Sequence, residues 1–131
     1  MNGAGISVEE LLAEARSGLN RMTPEEAWEA LESGAMLVDT RPVEQRRQLG
    51  EVPGSLVVDR NVLEWRLDPR SPHRLPQATG ESRVIVLCQQ GYSSSLAAAS
   101  LQRLGVAGAT DVVGGMESWV AAGLPTAPFR E

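Results

Sequence analysis

The chain has no lysine; all twelve of its basic residues are arginine. A lysine nucleophile or Schiff base is therefore excluded, and the arginine-only set suits a GC-rich bacterial genome. There is a single cysteine, Cys88, so no internal disulfide can form, which fits a reducing compartment. There is a single histidine, His73, and one cysteine with one histidine is too few ligands for a zinc site. No apolar run is long enough to span a bilayer, and no basic-then-apolar leader opens the chain. A soluble, cytoplasmic protein is the expectation. Positive charge is also scarce: the net charge is −5. That balance argues against nucleic acid and anionic membranes as partners. Gly-rich phosphate loops of the dinucleotide or P-loop type are missing as well.

The 131 residues suit one domain, and 42% are hydrophobic, enough for a core without disulfide or metal. Met1 to Ile6 are expected to fray. Ser7-Val8-Glu9-Glu10 reads as a capping box opening a helix with Leu11, Leu12 and Ala15 on one face, ended by Gly18 and Asn20. Thr23-Pro24-Glu25-Glu26 is a second start signal, with proline at the first helical position. Ala27, Ala30 and Leu31 form its buried stripe, and Gly34 stops it. From Met36 onward, short apolar runs alternate with helical patterns. Met36–Val38, Leu56–Val58, Val84–Leu87 and Thr110–Val113 are expected strands. Pro42–Leu49, Asn61–Leu67, Ser94–Leu104 and Met116–Ala122 are expected helices, and Asp68–Gly80, with three prolines, is a loop. Solidly apolar strands alternating with helices indicate an α/β fold, a parallel sheet with helices on both faces.

Cys88 ends the most apolar strand, where ligands bind in such sheets. Two readings fit it on residue grounds: a small buried hydrophobe, or a nucleophile. Its surroundings favour the second. The polar turn Gln89-Gln90-Gly91-Tyr92-Ser93 runs straight into a helix, and a tight turn entering a helix presents unpaired N–H groups that stabilise a thiolate. Lowering a thiol pKa from ~8.5 to ~6.5 needs about 2.7 kcal/mol of preference for the anion. A helix dipole contributes only about 0.3–1 kcal/mol, so several direct N–H contacts are required.

Four segments resemble the rhodanese family: Leu37-Val38-Asp39-Thr40-Arg41, Gly50-Glu51-Val52-Pro53-Gly54-Ser55, Val86 to Ser94 around Cys88, and Gly114-Gly115-Met116-Glu117-Ser118-Trp119 followed by Ala122-Gly123-Leu124-Pro125. They occur in the family's order. The resemblance implies a single rhodanese-like domain over residues 21–127, preceded by an extension over residues 1–20 that carries a short helix. It implies a five-stranded parallel sheet and no metal or organic cofactor. It also implies sulfurtransferase chemistry: Cys88 takes sulfur from thiosulfate or a related donor as a persulfide and passes it to cyanide or a thiol. Three departures stand out. Ser93 and Gln89 occupy positions where many members have arginine, Glu51 replaces the turn's usual histidine, and one extra residue lies between Asp39 and Gly50.

The candidate site is therefore Cys88 as nucleophile with Gln89, Gln90, Gly91, Tyr92, Ser93 and Ser94 as its anion-binding loop. Arg60, and with it Arg66, is a candidate for the cation that the loop lacks; the alternative is an ion pair with Asp59, Glu64 or Asp68. Asp39 and Arg41 are expected to brace neighbouring loops. Tyr92 either walls the pocket or shields the loop. The hydroxyls of Ser93, Ser94 and Ser95 either reach the sulfur or a bound anion, or cap the helix. His73 is expected to be an exposed loop residue, and Trp28, Trp65 and Trp119 to be packing residues. Two other functions remain open. One is a persulfide relay or binding module with little thiosulfate turnover. The other is a cysteine phosphatase or arsenate-reductase relative, which calls for an arginine closing the loop.

Overall fold

A computed structural model describes residues 5–131. The expected fraying of Met1 to Ile6 falls mostly on residues 1–4, outside that range. Both capping boxes form. Ser7 Oγ accepts from Glu10 N and opens α1 (Val8–Ser17); Thr23 Oγ1 accepts from Glu26 N and opens α2 (Pro24–Glu32). The remaining order is β1 (Met36–Asp39), α3 (Val43–Leu49), β2 (Leu56–Val57), a 3-10 turn (Arg60–Val62), α4 (Leu63–Leu67), β3 (Val84–Leu87), α5 (Ser93–Arg103), β4 (Thr110–Asp111) and α6 (Gly115–Ala121).

All strand pairs are parallel and the sheet order is β2-β1-β3-β4. Among the described residues the sheet has four strands rather than the expected five. The fifth position shrinks to one parallel bridge between Met22 and Val112. There, Met22 N donates to the Asp111 carbonyl at 3.0 Å and Val113 N to the Met22 carbonyl at 2.8 Å. The physical reason is local. Thr23 and Pro24 cap and start α2 directly after Met22, so the chain turns helical before a second bridge can form.

The central strand β3 shows why both faces must be covered. Val84 and Val86 point into a core with Val38, Leu63, Leu67, Ala97, Ala98 and Leu101, beneath α4 and α5. Ile85 and Leu87 point the opposite way, against Ala27, Ala30, Leu37, Met116 and Trp119, beneath α2 and α6. Each fully buried side chain of this size stabilises by about 1.5–3 kcal/mol. Trp119 packs edge-on against Trp28 at 6.0 Å between ring centroids and donates its indole N–H to the Pro125 carbonyl. Trp65 differs from its expected packing role: it is 57% exposed on α4. Helix α1 lies outside the two-faced core and packs on α5.

Glu51, one of the departures from the rhodanese resemblance, is buried and ties down the C-terminal tail. Its main chain pairs with Ala127 in both directions, at 2.8 and 2.7 Å. Its carboxylate accepts from Arg46 Nη1 at 3.0 Å and from Arg130 N at 3.1 Å. Burial pushes the Glu51 carboxyl up, but the Arg130 N–H and the Arg46 guanidinium outweigh it and hold the group below its ordinary value. A depressed carboxylate contributes stability at neutral pH that is lost as pH falls through its folded value. Glu51→Gln is therefore expected to destabilise the fold by about 1–2 kcal/mol at pH 7. In denaturant melts the gap from the native chain should close as pH falls below the ordinary carboxylate range.

Candidate active site

Because the strands are parallel, their carboxyl ends share one edge. Asp39 at the end of β1 with Thr40-Arg41 following it, Asp59-Arg60 after β2 and Cys88 after β3 all gather there. Cys88 is 6% exposed. It opens onto a pocket of about 350 Å³ walled by Thr40, Arg41, Pro42, Gln45, Arg60, Gln89, Gln90, Tyr92 and Ser93. A roomier groove of about 660 Å³ lies under the C-terminal tail, between Arg46, Arg47 and Phe129, and holds neither cysteine nor histidine.

The turn after Cys88 curls around the sulfur. Gly91 N lies 3.1 Å from Cys88 Sγ and points its hydrogen at it. Gly91 sits at φ +85°, and a Cβ there would meet Gly114 N at 2.7 Å, so both the curl and the close approach require glycine. The carbonyls on the outer side of the turn are held by α6: Met116 N donates to the Cys88 carbonyl at 2.9 Å and Glu117 N to the Gln89 carbonyl at 3.1 Å. Gly115 makes this docking possible, since a Cβ there would lie 2.5 Å from the Cys88 oxygen.

Burial pushes the Cys88 thiol up. The Ser94 and Ser93 hydroxyls and the N–H groups of Ser94 and Gly91 pull it down, and the net lies below the ordinary thiol value. Ser94 has one hydroxyl proton, and its oxygen sits 2.7 Å from Asp111 Oδ2. Carboxylate and sulfur therefore compete for that proton, whereas the backbone donors of Gly91 and Ser94 carry no such divided allegiance.

The other candidates fall into place around this centre. Arg41 and Asp39 form a fully buried ion pair, Nη2 to Oδ2 at 2.8 Å and Nε to Oδ1 at 3.0 Å. Arg41 also donates to the carbonyls of Gly50 (2.7 Å) and Gln45 (3.3 Å) and to Gln89 Oε1 (3.3 Å). Arg60 lines the Cys88 pocket, yet its Nη1 is paired with Glu64 at 3.0 Å and its side chain is 37% exposed. Arg66 is not among the pocket's wall residues and donates to the His73 carbonyl at 2.7 Å. His73 is exposed in its loop. Tyr92 walls the pocket and is 60% exposed. Gln90 turns outward and donates to Glu117 at 3.3 Å. None of the three serines caps α5, whose first turn has no side-chain cap. Ser94 and Ser95 instead donate to Asp111 Oδ2, at 2.7 and 2.8 Å.

Sequence reasoning passed over Asp111, Arg16 and Arg21. Asp111 carried a readable signal: an acidic residue inside an apolar strand, at the same sheet edge as Asp39. Arg16 and Arg21 carried none, because only the docking of α1 on α5 brings them near the loop.

Residues 23–122 match the rhodanese-like domain family. The chain belongs to that family. This rhodanese-like domain is 30% identical over 105 residues to the thiosulfate sulfurtransferase GlpE of Haemophilus influenzae, covering 79% of this chain and 90% of that one. It is 32% identical over 84 residues to the adenylyltransferase and sulfurtransferase MOCS3-2 of Zea mays, covering 64% of this chain; that stretch spans only 17% of the maize protein. Among solved structures, a Rhodopseudomonas palustris protein of unknown function, described as a possible tyrosine phosphatase, superposes with a TM-score of 0.86 at 28% identity. It covers 97% of this chain and 98% of its own. No helix among the described residues is long and apolar enough to cross a membrane.

A lowered thiol value makes a direct expectation for reactivity. The rate of Cys88 alkylation by iodoacetamide should rise with pH to a plateau with its midpoint below the ~8.5 of a free thiol. A midpoint at or above that value would mean that the cradle does not stabilise the thiolate.

Proposed function

We propose that this domain is a sulfurtransferase in which Cys88 carries sulfane sulfur as a persulfide. The observation that carries this reading is the buried sulfur at the mouth of a small pocket, with Gly91 N–H on it at 3.1 Å. The proposed first step is attack by the Cys88 thiolate on the outer sulfur of thiosulfate. A new S–S bond forms at Cys88, the S–S bond of thiosulfate breaks, and sulfite leaves with the bonding pair. Cyanide or a thiolate then attacks the terminal sulfur of the persulfide, releasing thiocyanate or a new persulfide and returning the Cys88 thiolate. No oxidant, metal or organic cofactor enters the balance. The backbone donors that favour the thiolate are equally suited to the persulfide anion. In this reading residues 21–127 form the catalytic unit, residues 1–20 extend it, and the reducing cytoplasm is the compartment that keeps Cys88 free.

The donor is either a small sulfur-containing anion or a persulfide. One observation favours the relay version, in which a persulfide donor replaces thiosulfate. The two arginines at the pocket, Arg41 and Arg60, already face carboxylates, so a dianion meets little free positive charge. A phosphatase reading is supported less well, because positions 88–94 contain no arginine to hold a phosphoryl group.

Intact mass after incubation with thiosulfate tests the proposal. One added sulfur atom on the native chain, and none on Cys88→Ser, is the expected result. No adduct with thiosulfate but one with a persulfide donor would replace the thiosulfate reading by the relay; no adduct with either would end the sulfurtransferase reading.

Arg60→Ala tests the cation at the mouth. Its shared charge leads us to expect a loss of only about threefold to tenfold in kcat/KM for thiosulfate. An unchanged value would remove Arg60 from the site.

A further inference from the structure

The Cys88 turn contains no cation, yet two guanidiniums reach it from behind. Arg16, on α1, places Nη2 2.7 Å from the Gly91 carbonyl oxygen and Nε 3.0 Å from Ser95 Oγ, with its guanidinium carbon 5.8 Å from the Tyr92 ring centroid. Arg21, between α1 and α2, places Nη2 3.0 Å from the same Gly91 oxygen. It also binds Asp111 through Nε at 2.9 Å and Nη2 at 3.2 Å. Asp111 is wholly buried. Both arginines lie before residue 23, where the family match begins.

This convergence has a physical logic. For N–H groups to face the sulfur, the carbonyls of the turn must face away from it, into the protein. A buried carbonyl turned from solvent needs a donor. The Gly91 oxygen takes two, both charged, and charge-assisted bonds are the stronger kind. Two guanidiniums on one oxygen repel each other, and Asp111 offsets only one of them. One positive charge is therefore left against the back of the turn. On the mouth side Arg41 is paired with Asp39 and Arg60 with Glu64, while Glu117, outside the pocket wall, accepts from the neutral Gln90 amide and keeps its negative charge on the exposed side.

We propose that Arg16 and Arg21 are positioning residues for the Cys88 nucleophile. They fix the Gly91–Tyr92 peptide unit through its carbonyl, which anchors Gly91 and so steadies the Gly91 N–H on the sulfur, and their net positive charge favours the thiolate from behind. Activation and donor recognition are thereby separated. The sulfur is made reactive without a free cation at the mouth, and the extension at residues 1–20 becomes part of the site. This rests on the reading of Cys88 as the nucleophile.

The test uses the full chain and the variants Arg16→Met, Arg16→Lys and Arg21→Met. Iodoacetamide alkylation of Cys88 is followed across pH, with a thermal melt of each variant alongside. Arg16→Met should move the alkylation midpoint to higher pH and slow alkylation at pH 7 by about threefold to tenfold, while the high-pH plateau stays near that of the native chain. Arg16→Lys keeps a cation at the carbonyl and should recover most of that loss. A purely structural role predicts something else: a lower melting temperature with the midpoint unmoved in Arg16→Met and Arg21→Met. That result would overturn the proposal. Should Arg21→Met fail to fold because Asp111 is left unpaired, the two Arg16 variants decide, since Arg16 forms no ion pair among the described residues. The native chain separates this idea from the sulfurtransferase reading. A lowered midpoint that depends on Arg16, without a sulfur adduct from either donor, would sustain the brace and remove sulfur transfer.

Discussion

The orientation of the peptide units between Cys88 and Ser93 is the constraint around which this domain is built. A buried thiolate is stable only if donors face it, and a turn that directs N–H groups inward must direct carbonyls outward. Each outward carbonyl then needs its own donor. Helix α6 serves the oxygens of Cys88 and Gln89 through the N–H groups of Met116 and Glu117. Arg16 and Arg21 serve the oxygen of Gly91. The two ends of the chain, far apart in sequence, are thus drawn to one short turn, and glycines at positions 91 and 115 allow the backbones to come that close.

The two strands beside β3 support the turn in parallel ways. Asp39 ends β1 and Asp111 ends β4, and both carboxylates are fully buried. Each is paired with an arginine that goes on to touch the Cys88 turn. Arg41 reaches the Gln89 side chain, and Arg21 reaches the Gly91 carbonyl. A buried ion pair is weak evidence for stability, because desolvation offsets much of its attraction. Here the geometry is the more telling point. A rigid guanidinium fork fixed by a carboxylate at one side can hold a loop atom at the other with little freedom lost. At the pocket mouth the two guanidiniums, Arg41 and Arg60, each face a carboxylate.

Much of this fold was legible because its signals are local. The capping boxes at Ser7 and Thr23 depend on residues three apart, and both formed. The apolar run Val84–Leu87 announced a strand buried on both faces, and alternate residues do enter opposite cores. The strand count was less legible. Whether Met22 forms a strand or a single bridge depends on how soon α2 begins and on how β4 lies beside it. Trp65 was misread because its exposure depends on which face α4 turns to solvent, and a helix of five residues has too short a pattern to say. The serines after Tyr92 looked like helix caps by position, yet the Ser94 and Ser95 hydroxyls lie against a buried carboxylate, seventeen residues away for Ser94 and sixteen for Ser95.

The sequence by itself determined the α/β class and the place of the single cysteine at the end of the central strand, because apolar periodicity, turn residues and residue identity are properties of neighbouring residues. It also established that no charged side chain lies within the turn. Only the tertiary structure decided where the compensating charge comes from. Arg16, Arg21 and Asp111 meet the turn because α1 packs on α5 and because parallel strands bring their ends to one edge. Those contacts span separations of 70 to 90 residues, which no local pattern encodes. Chain folding converts them into hydrogen bonds, since a buried carbonyl accepts whichever donor the packing delivers.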